Sequence, residues 1–237
     1  MSSVIEASAP VERAADDRHG AGPDTDRLRI TEVFCSIQGE ADAVGWPTVF
    51  VRLTGCPLRC VWCDTTYSFH GGGWRSIDSL LDEVASHGTR HVCVTGGEPL
   101  SQKRCQLLLR RLCDAGYEVS LETSGALDVS AVDARVRKVV DLKAPGSGEM
   151  GRNRWANLAH LLPHDQIKFV LADRADYDWA VARLREHGLA AKCQVLFSPV
   201  AGQVTPRELA EWILADRLHV RLQLQLHKYL WGDAPGH

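Results

Sequence analysis

The chain has 237 residues, a formal net charge of −3 and 45% hydrophobic residues, a composition typical of a globular protein with a sizeable core. The absence of a basic excess argues against nucleic acid as a partner. No apolar run approaches the roughly 18 residues that a membrane-spanning helix needs, and the N-terminus lacks a signal-peptide pattern. We therefore expect a cytoplasmic protein whose eight cysteines stay reduced and form no disulfide framework.

Residues 1–27 are rich in Ala, Ser, Asp, Pro and Gly and lack an apolar period, so they are predicted to form a disordered extension. Residues 28–237 are predicted to form a single domain. Strand and helix patterns alternate along this domain. Strands are predicted over residues 29–34, 48–53, 91–95, 117–122, 136–142, 166–171, 192–197 and 220–226, and helices over residues 76–86, 103–115, 177–187 and 206–215.

This alternation predicts an α/β fold with a parallel sheet and right-handed crossovers. The units are too few for a closed eight-fold barrel, so we expect a partial, open (β/α)6 barrel with roughly six parallel strands. Ser76 and Thr205 are the predicted N-caps of the first and last helices. Ligands of such folds gather where the parallel strands end, and we expect every polar motif of the chain to lie at that rim.

Three cysteines, Cys56, Cys60 and Cys63, lie on one short loop after the strand that ends at Leu53. Their C-x3-C-x2-C spacing allows three thiolates to bind one metal centre without help from distant residues. Because a fully ligated [4Fe–4S] cluster takes four thiolates, three would leave one iron open to a substrate or cofactor. The same loop could instead hold a structural zinc ion with His70 as the fourth ligand.

The cysteine spacing alone leaves both metal centres open. An electron-transfer protein is a further possibility, and it would need a fourth cysteine, for which Cys35 is the upstream candidate. The cysteines outside the loop are scattered singly among apolar neighbours and are interpreted as core or near-core thiols. They are Cys35, Cys93, Cys105, Cys113 and Cys193.

A Gly96-Gly97-Glu98 motif directly follows the predicted strand over residues 91–95. Two glycines allow a ligand to approach the backbone closely, and the carboxylate can accept hydrogen bonds from an ammonium group. Alone, the motif is also typical of an ordinary turn. Beside an open iron, it suits the amine and carboxylate of the methionyl end of S-adenosylmethionine (SAM), so the two motifs together favour iron–sulfur over zinc.

The cysteine loop followed by Gly-Gly-Glu-Pro resembles the radical SAM superfamily. Four segments are also similar to the 7-carboxy-7-deazaguanine synthase family of queuosine and 7-deazapurine biosynthesis, whose members are carbon–nitrogen lyases. The resemblance extends from about Arg29 to Trp231. Its segments are Phe34-x-Ser-Ile-Gln-Gly-Glu40, Phe50-Val-Arg-Leu-x-Gly-Cys56, Trp62-Cys-Asp-Thr65 and Gln225-Leu-His-Lys228.

The resemblance implies a [4Fe–4S] cluster, SAM and Mg²⁺ as cofactors, with reductive cleavage of SAM to a 5′-deoxyadenosyl radical. It implies 6-carboxy-5,6,7,8-tetrahydropterin as the substrate, abstraction of the hydrogen at its C6, and ring contraction with loss of ammonia to 7-carboxy-7-deazaguanine. The implied partners are a low-potential electron donor such as flavodoxin and a second copy of the chain in a homodimer, with no nucleic acid and no membrane.

The same resemblance implies roles for individual residues. The cluster ligands would be Cys56, Cys60 and Cys63, and the Mg²⁺ ligand would be Thr65. The SAM site would be formed by Trp62, Cys63, Asp64, Gly97, Glu98, Ser124, Lys143, Ser198 and Pro199. The substrate pocket would be lined by Ile37, Gln38, Gly39, Glu40, Arg52, Thr95 and His227.

These roles agree with the chemistry of the side chains. Arg52 can pair with the substrate carboxylate in fork geometry, and Gln38 and Glu40 can bind the donor and acceptor edge of a pterin. One threonine hydroxyl among substrate and water oxygens suits Mg²⁺. Arg52, Lys143 and His227 could also be structural or solvated side chains. The competing functions are a glycyl-radical-enzyme activase, which needs no pterin pocket, and a zinc-stabilised binding module.

Overall fold

The computed structural model describes residues 26–232, which contain nine strands and five α-helices. The strands are β1 (Arg27–Ile37), β2 (Pro47–Leu53), β3 (Gly73–Ser76), β4 (His91–Gly96), β5 (Glu118–Thr123), β6 (Arg137–Asp141), β7 (Gln166–Leu171), β8 (Gln194–Pro199) and β9 (Arg221–Leu222). The helices are α1 (Ile77–Ser86), α2 (Cys105–Asp114), α3 (Arg174–Glu186), α4 (Pro206–Ala215) and α5 (Leu226–Trp231). None of these helices is long and apolar enough to cross a membrane.

The nine strands form one mixed sheet in the order β3-β1-β2-β4-β5-β6-β7-β8-β9. All neighbours from β2 to β9 are parallel, whereas β1 is antiparallel to both β2 and β3. Because β9 has only two residues, the sheet contains the six longer parallel strands of the predicted open barrel, and the predicted fold class is confirmed. The predicted caps are also present, since Ser76 and Thr205 accept hydrogen bonds from the backbone N–H groups of Ser79 and Glu208.

Two crossovers depart from the alternation of strand and helix. No α-helix joins β5 to β6, and three short 3-10 helices join β6 to β7. Buried polar side chains hold these connections where helix packing is missing. Asn157, for example, donates hydrogen bonds to the carbonyl oxygens of Gly125 and Leu127 and accepts one from the backbone N–H of Val129.

The two ends of the described chain differ from the sequence prediction. The predicted strand over residues 220–226 is shortened to Arg221–Leu222, and Leu226 instead begins α5. The predicted disordered extension over residues 1–27 lies outside the described residues except for its last two positions, of which Arg27 pairs with Ser76 in the sheet. The strand β3, which starts at Gly73, was missed because its glycine-rich approach is typical of a loop.

The Ser-Ile-Gln-Gly-Glu segment, residues 36–40, does not lie at the carboxyl ends of the parallel strands. Because β1 is antiparallel to β2, Ile37 pairs with Pro47, at the start of β2. The prediction that every motif lies at one rim is therefore wrong for this segment. It is tied instead to the residues after β9, where the backbone N–H of Leu226 donates to the Gly39 carbonyl at 3.0 Å. The segment thus connects the first and last parts of the open sheet.

The apolar core lies between the outer face of the sheet and the helices. One cluster packs under α1 and α2, and a second packs under α3 and α4. In the second, the Phe197 ring meets the rings of Phe169 and Tyr177 edge to face, with centroids 5.5 and 5.8 Å apart. Since alternate residues of a strand point to opposite faces, the polar residues of these strands point into the barrel.

Replacing Asp165 by alanine should destabilise the fold strongly. Asp165 is fully buried, accepts backbone hydrogen bonds from Lys138 (2.8 Å) and Leu162 (2.7 Å), and pairs with the Lys138 ammonium group at 2.9 Å. The substitution Asp165→Ala leaves the buried Lys138 ammonium group without its carboxylate partner. The free energy of unfolding should therefore fall by about 3–5 kcal/mol in chemical denaturation. The control Asp114→Ala removes an exposed partner of Arg135. It should lower the free energy of unfolding by less than about 1 kcal/mol. Equal losses in the two variants would contradict this account.

Candidate active site

The interior of the barrel contains a cavity of about 330 Å³. Its walls are formed by the carboxyl ends of the parallel strands, the cysteine loop, the segment over residues 36–40 and the residues that follow β9. Every residue that the sequence assigned to the cluster, SAM, Mg²⁺ or the substrate lines this cavity, with the exception of Glu98. The fold therefore gathers into one space side chains that lie far apart in the sequence.

The cysteine loop is held in place by backbone hydrogen bonds on both sides. The N–H of Gly55 donates to the Ser68 carbonyl at 2.8 Å, and the N–H of Val61 donates to the Ser147 carbonyl at 3.1 Å. The Glu149 carboxylate accepts a hydrogen bond from the backbone of Arg59. These contacts present the three thiols to the cavity in a half-buried position. They belong to Cys56, Cys60 and Cys63.

These thiols fit an iron–sulfur cluster, which takes cysteine thiolates as ligands. Burial raises the pKa of the Cys56 and Cys60 thiols, and bound iron would reverse this effect by stabilising the thiolates. Within residues 26–232, no three His, Cys, Asp or Glu side chains converge closely enough to bind one metal ion. Three thiols that line one cavity suit a cluster of several iron atoms. The fourth ligand of the zinc alternative, His70, is exposed and lies outside the cavity lining.

The fourth cysteine of an electron-transfer site does not reach the cavity either. Cys35 lies within β1, opposite Val49, and its side chain is exposed. The interpretation of Cys35 as a core or near-core thiol is therefore wrong. The other scattered cysteines are at least partly buried, as the sequence predicted. They are Cys93, Cys105, Cys113 and Cys193.

The end of β4 packs directly against the cysteine loop because Gly97 has no side chain. A Cβ atom at Gly97 would collide with the Gly55 carbonyl and would lie 2.8 Å from the Cβ of Cys56. The Glu98 carboxylate that follows is fully buried and does not line the cavity. It accepts hydrogen bonds from the Thr123 hydroxyl and from the backbone N–H of Ser124, at 2.9 and 2.7 Å. Contact between Glu98 and SAM stays a prediction.

A buried acceptor without a partner lies in the same wall. The Oδ2 atom of Asp141 accepts a hydrogen bond from the Lys143 ammonium group at 2.8 Å, whereas Oδ1 is buried without a hydrogen-bond partner among the described residues. An unsatisfied carboxylate oxygen beside a cavity suits a ligand hydroxyl, such as one of a ribose. The residues present therefore fit SAM. The sequence analysis missed Asp141, although a carboxylate at the end of an apolar strand was the available signal.

Arg52 is fixed in the cavity through one edge of its guanidinium group. Its Nε atom donates a hydrogen bond to a Glu32 carboxylate oxygen at 2.7 Å, and the Tyr67 hydroxyl donates to the same oxygen at 2.9 Å. The guanidinium carbon lies 5.8 Å from the ring centres of both Phe34 and Tyr67. The terminal N–H groups of Arg52 make no hydrogen bond with residues 26–232, so they can bind a carboxylate in fork geometry.

Two charged residues that were not predicted from the sequence, Lys168 and Glu122, line the cavity together with Glu40. The Lys168 ammonium group, on β7, lies 2.7 Å from the Glu40 carboxylate and 3.7 Å from that of Glu122. Burial opposes the charge of Lys168, but the carboxylates around it raise its pKa. Burial likewise disfavours ionised Glu40, yet Lys168 holds its pKa below the usual value. Burial raises the pKa of Glu122.

The residues after β9 cover the segment over residues 36–40. His227 packs so tightly on Gly39 that a Cβ atom there would collide with the imidazole. The side-chain amide of Gln225 donates to the second oxygen of Glu40 at 2.8 Å. Burial lowers the pKa of His227, which favours its neutral form at neutral pH. A neutral imidazole can both donate and accept a hydrogen bond with a ligand.

Replacing Gly97 by alanine should reduce cluster incorporation. The new Cβ atom meets backbone atoms of Gly55, which cannot rotate away, so the cysteine loop must move. After anaerobic reconstitution, Gly97→Ala should retain less than about half of the wild-type iron and sulfide per chain, since bound clusters need preorganised ligands. The control Gly151→Ala introduces a Cβ atom with open space around it and should bind the full amount. Full incorporation in both variants would show that the close approach is not required.

Comparisons with known proteins agree with this geometry. Residues 50–213 match the radical SAM superfamily. The 7-carboxy-7-deazaguanine synthase of Chlorobaculum tepidum is 49% identical over 213 residues, which cover 88% of this chain and 97% of that protein. The synthase of Koribacter versatilis is 45% identical over 219 residues, with coverages of 86% and 97%.

Solved structures resemble the fold as well. QueE from Escherichia coli has a TM-score of 0.70 at 25% identity, covering 85% of this chain and 95% of that one. SuiB from Streptococcus suis, bound to its precursor peptide SuiA, shares the fold alone, with a TM-score of 0.53, 11% identity and coverages of 72% and 46%. The cysteine loop, the fold and these relatives lead to one conclusion: the chain belongs to the radical SAM superfamily and, within it, to the 7-carboxy-7-deazaguanine synthase family.

Proposed function

We propose that this protein converts 6-carboxy-5,6,7,8-tetrahydropterin to 7-carboxy-7-deazaguanine with loss of ammonia, as a step of queuosine or 7-deazapurine biosynthesis. The observation that carries this proposal is the position of Arg52. Its available N–H groups lie in the cavity that the three motif cysteines also line, so a ligand carboxylate bound there shares one cavity with the cluster site. Relatives of this name at 49% and 45% identity support the same reaction.

As a radical SAM enzyme, the protein uses a [4Fe–4S] cluster and SAM, which together supply a 5′-deoxyadenosyl radical when bound and reduced. We assign the cluster to the three cysteines of the loop over residues 54–65. The wall beside them, at the ends of β4, β5, β6 and β8, is the proposed SAM site. The residues assigned to SAM are Trp62, Cys63, Asp64, Gly97, Glu98, Ser124, Lys143, Ser198 and Pro199.

The opposite side of the cavity suits the substrate. Arg52 would bind the carboxylate of the pterin, while Glu122 and Gln38 would bind its donor and acceptor edge. Glu122 extends the set that the sequence assigned, because its carboxylate lines the cavity and makes no hydrogen bond with the described residues. The other residues assigned to the substrate are Ile37, Gly39, Glu40, Thr95 and His227.

The aromatic rings of Phe34 and Phe50 would shield this substrate from water. They stack with centroids 5.0 Å apart and line the cavity beside Arg52. An apolar wall next to a reactive radical limits its side reactions with solvent. It also strengthens the electrostatic attraction between Arg52 and a carboxylate, because the local dielectric constant is low.

Mg²⁺ is the third cofactor of the proposal, with Thr65 as its protein ligand. The Thr65 hydroxyl lines the cavity and donates a hydrogen bond to Asp64 at 2.8 Å. One hydroxyl oxygen suits Mg²⁺ when substrate and water oxygens complete its octahedral shell. The substrate carboxylate would then be held by Arg52 and by the metal ion together.

The proposal includes a cytoplasmic setting and two protein partners. A low-potential electron donor such as flavodoxin would reduce the cluster, and residues 28–237 would act as one domain of a homodimer. The support for the homodimer is the resemblance to the family.

The mass of the product tests the function directly. The protein is reconstituted anaerobically with iron and sulfide and incubated with dithionite, SAM, Mg²⁺ and the carboxytetrahydropterin. We expect 5′-deoxyadenosine and 7-carboxy-7-deazaguanine in the mass spectrum. Formation of 5′-deoxyadenosine without the deazaguanine would refute the substrate, and a colourless protein that contains zinc would refute the cluster as well.

Replacing Arg52 by lysine should separate substrate binding from SAM cleavage. The variant keeps the positive charge but loses the fork and its hydrogen bond to Glu32. The KM for the pterin should rise by about tenfold or more, while SAM affinity and the slow cleavage of SAM without substrate should not change. The control Arg75→Lys alters an ion pair with Glu83 away from the cavity and should behave as wild type. Parallel loss of both activities would make Arg52 a structural residue.

A further inference from the structure

We propose that Lys168 is a positioning residue of the substrate pocket, whose ammonium group anchors Glu40 and so fixes the segment over residues 36–40 in the barrel interior. The inference rests on the proposed function, because it concerns the pterin-binding side of the cavity. None of the roles assigned above includes Lys168. Its neighbours in β7 are apolar, and its charged end reaches into the cavity between two carboxylates.

The contacts of Glu40 show how this segment is held. Glu40 is 7% exposed, and each of its carboxylate oxygens has its own donor. Lys168 donates to Oε2 at 2.7 Å, and Gln225 donates to Oε1 at 2.8 Å. The backbone N–H of Glu40 donates to the side-chain oxygen of Gln38 at 3.2 Å. With both oxygens engaged, the side chain is restricted to one orientation, and Gln38 is ordered with it.

This anchor is needed because the segment lies outside the usual position of a barrel site. The ends of parallel strands are placed by the sheet itself, whereas residues 36–40 comprise the last two residues of the antiparallel strand β1 and the turn that follows it. Their backbone hydrogen bonds run from Gln38 to Gly45 and Trp46, before β2, and from Gly39 to Leu226, after β9, so none of them reaches the central parallel strands. Lys168 adds a contact to the centre of the parallel sheet, 128 residues away in the sequence. It therefore sets how deeply Glu40 and Gln38 enter the cavity.

The same ammonium group also separates the roles of two carboxylates. Glu122 lies 3.7 Å from Lys168, beyond hydrogen-bond distance, and its side chain is 23% exposed to the cavity. Lys168 consequently holds Glu40 in place at the pterin-binding side of the cavity, whereas Glu122 is not tied to Lys168 and stays available to a ligand. Without Lys168, two buried carboxylates would face each other across the pocket, and their repulsion would drive Glu40 away from its position.

A purely structural ion pair predicts a different behaviour. Its loss would lower stability and disturb both halves of the cavity together. Lys138 offers a matched control, because it is also buried, lies on the neighbouring strand β6 and pairs with a buried carboxylate outside the cavity, that of Asp165. Loss of the positive charge at Lys138 should reduce stability without a selective effect on the pterin.

The experiment compares Lys168→Met, Lys168→Arg, Glu40→Gln, the Lys168→Met/Glu40→Gln double variant and Lys138→Met. Each reconstituted protein is titrated anaerobically with SAM and, in the presence of SAM, with the carboxytetrahydropterin. Iron content and the unfolding temperature are measured in parallel. The double variant removes the unpaired carboxylate charge, so it provides a folded protein for the same measurement even where Lys168→Met alone is unstable.

We expect Lys168→Met to weaken pterin binding by about tenfold, as is typical of the loss of one coupled charged contact, with SAM affinity and iron content unchanged. Lys168→Arg should recover part of the lost affinity, because it keeps the charge. The double variant should bind the pterin no more weakly than the weaker-binding single variant. Each single substitution already breaks the ion pair between Lys168 and Glu40, so the second substitution removes no further contact. Lys138→Met should bind both ligands as wild type does.

Three results would overturn the assignment of Lys168. They are unchanged pterin affinity in Lys168→Met, equal losses of pterin and SAM affinity, and additive losses in the double variant. These outcomes are distinct from failure of the proposed function, which would show as wild-type protein that binds SAM but no pterin. That result would overturn the substrate and the role of Lys168 together.

Discussion

The arrangement of the site depends on the hydrogen bonds of the buried residue Glu98. The backbone N–H of Glu98 donates to the Gly55 carbonyl at 2.8 Å, and its carboxylate accepts hydrogen bonds from Thr123 and Ser124. Three parts of the chain, the cysteine loop and the ends of β4 and β5, are therefore held by one residue. Because breaking the hydrogen bonds of a buried carboxylate costs free energy, none of these parts can move alone without destabilising the others. The glycine before Glu98 makes such a close approach sterically possible.

Strand β7 presents apolar and charged side chains on its two opposite faces. Phe169 packs outward under α3, while its neighbour Lys168 points inward to Glu40. In an interior of low dielectric constant, each charge strongly affects its neighbours. Burial opposes the ionised form of both carboxylates, but Lys168 lies 2.7 Å from Glu40 and lowers its pKa. Glu122 lies 3.7 Å from the same ammonium group, and burial raises its pKa. The pocket therefore combines an ionised carboxylate in its frame, a second carboxylate open to a ligand, and the fork of Arg52.

Much of the fold could be predicted because its signals are local. The strand over residues 166–171 and the helix over residues 206–215 have the predicted bounds, since an apolar run and a capping Thr205 act within a few residues. Prediction was wrong where distant contacts decide the local structure. The predicted strand over residues 220–226 ends at Leu222, and Leu226 instead begins α5, with its backbone N–H bonded to the carbonyl of Gly39, far away in the sequence. Cys35 is exposed for a similar reason, since the side of β1 that it occupies follows from the antiparallel pairing with β2.

The sequence by itself determined the strand and helix order, the three-cysteine loop and the family. These follow from spacing within short segments, such as the eight positions from Cys56 to Cys63, which remain close in any compact fold. Only the tertiary structure decided which charged residues share the cavity. Lys168 and Gln225 reach Glu40 across 128 and 185 positions of sequence. Such pairs are set by how the sheet curves and closes, and an isolated lysine in an apolar strand does not reveal its partner.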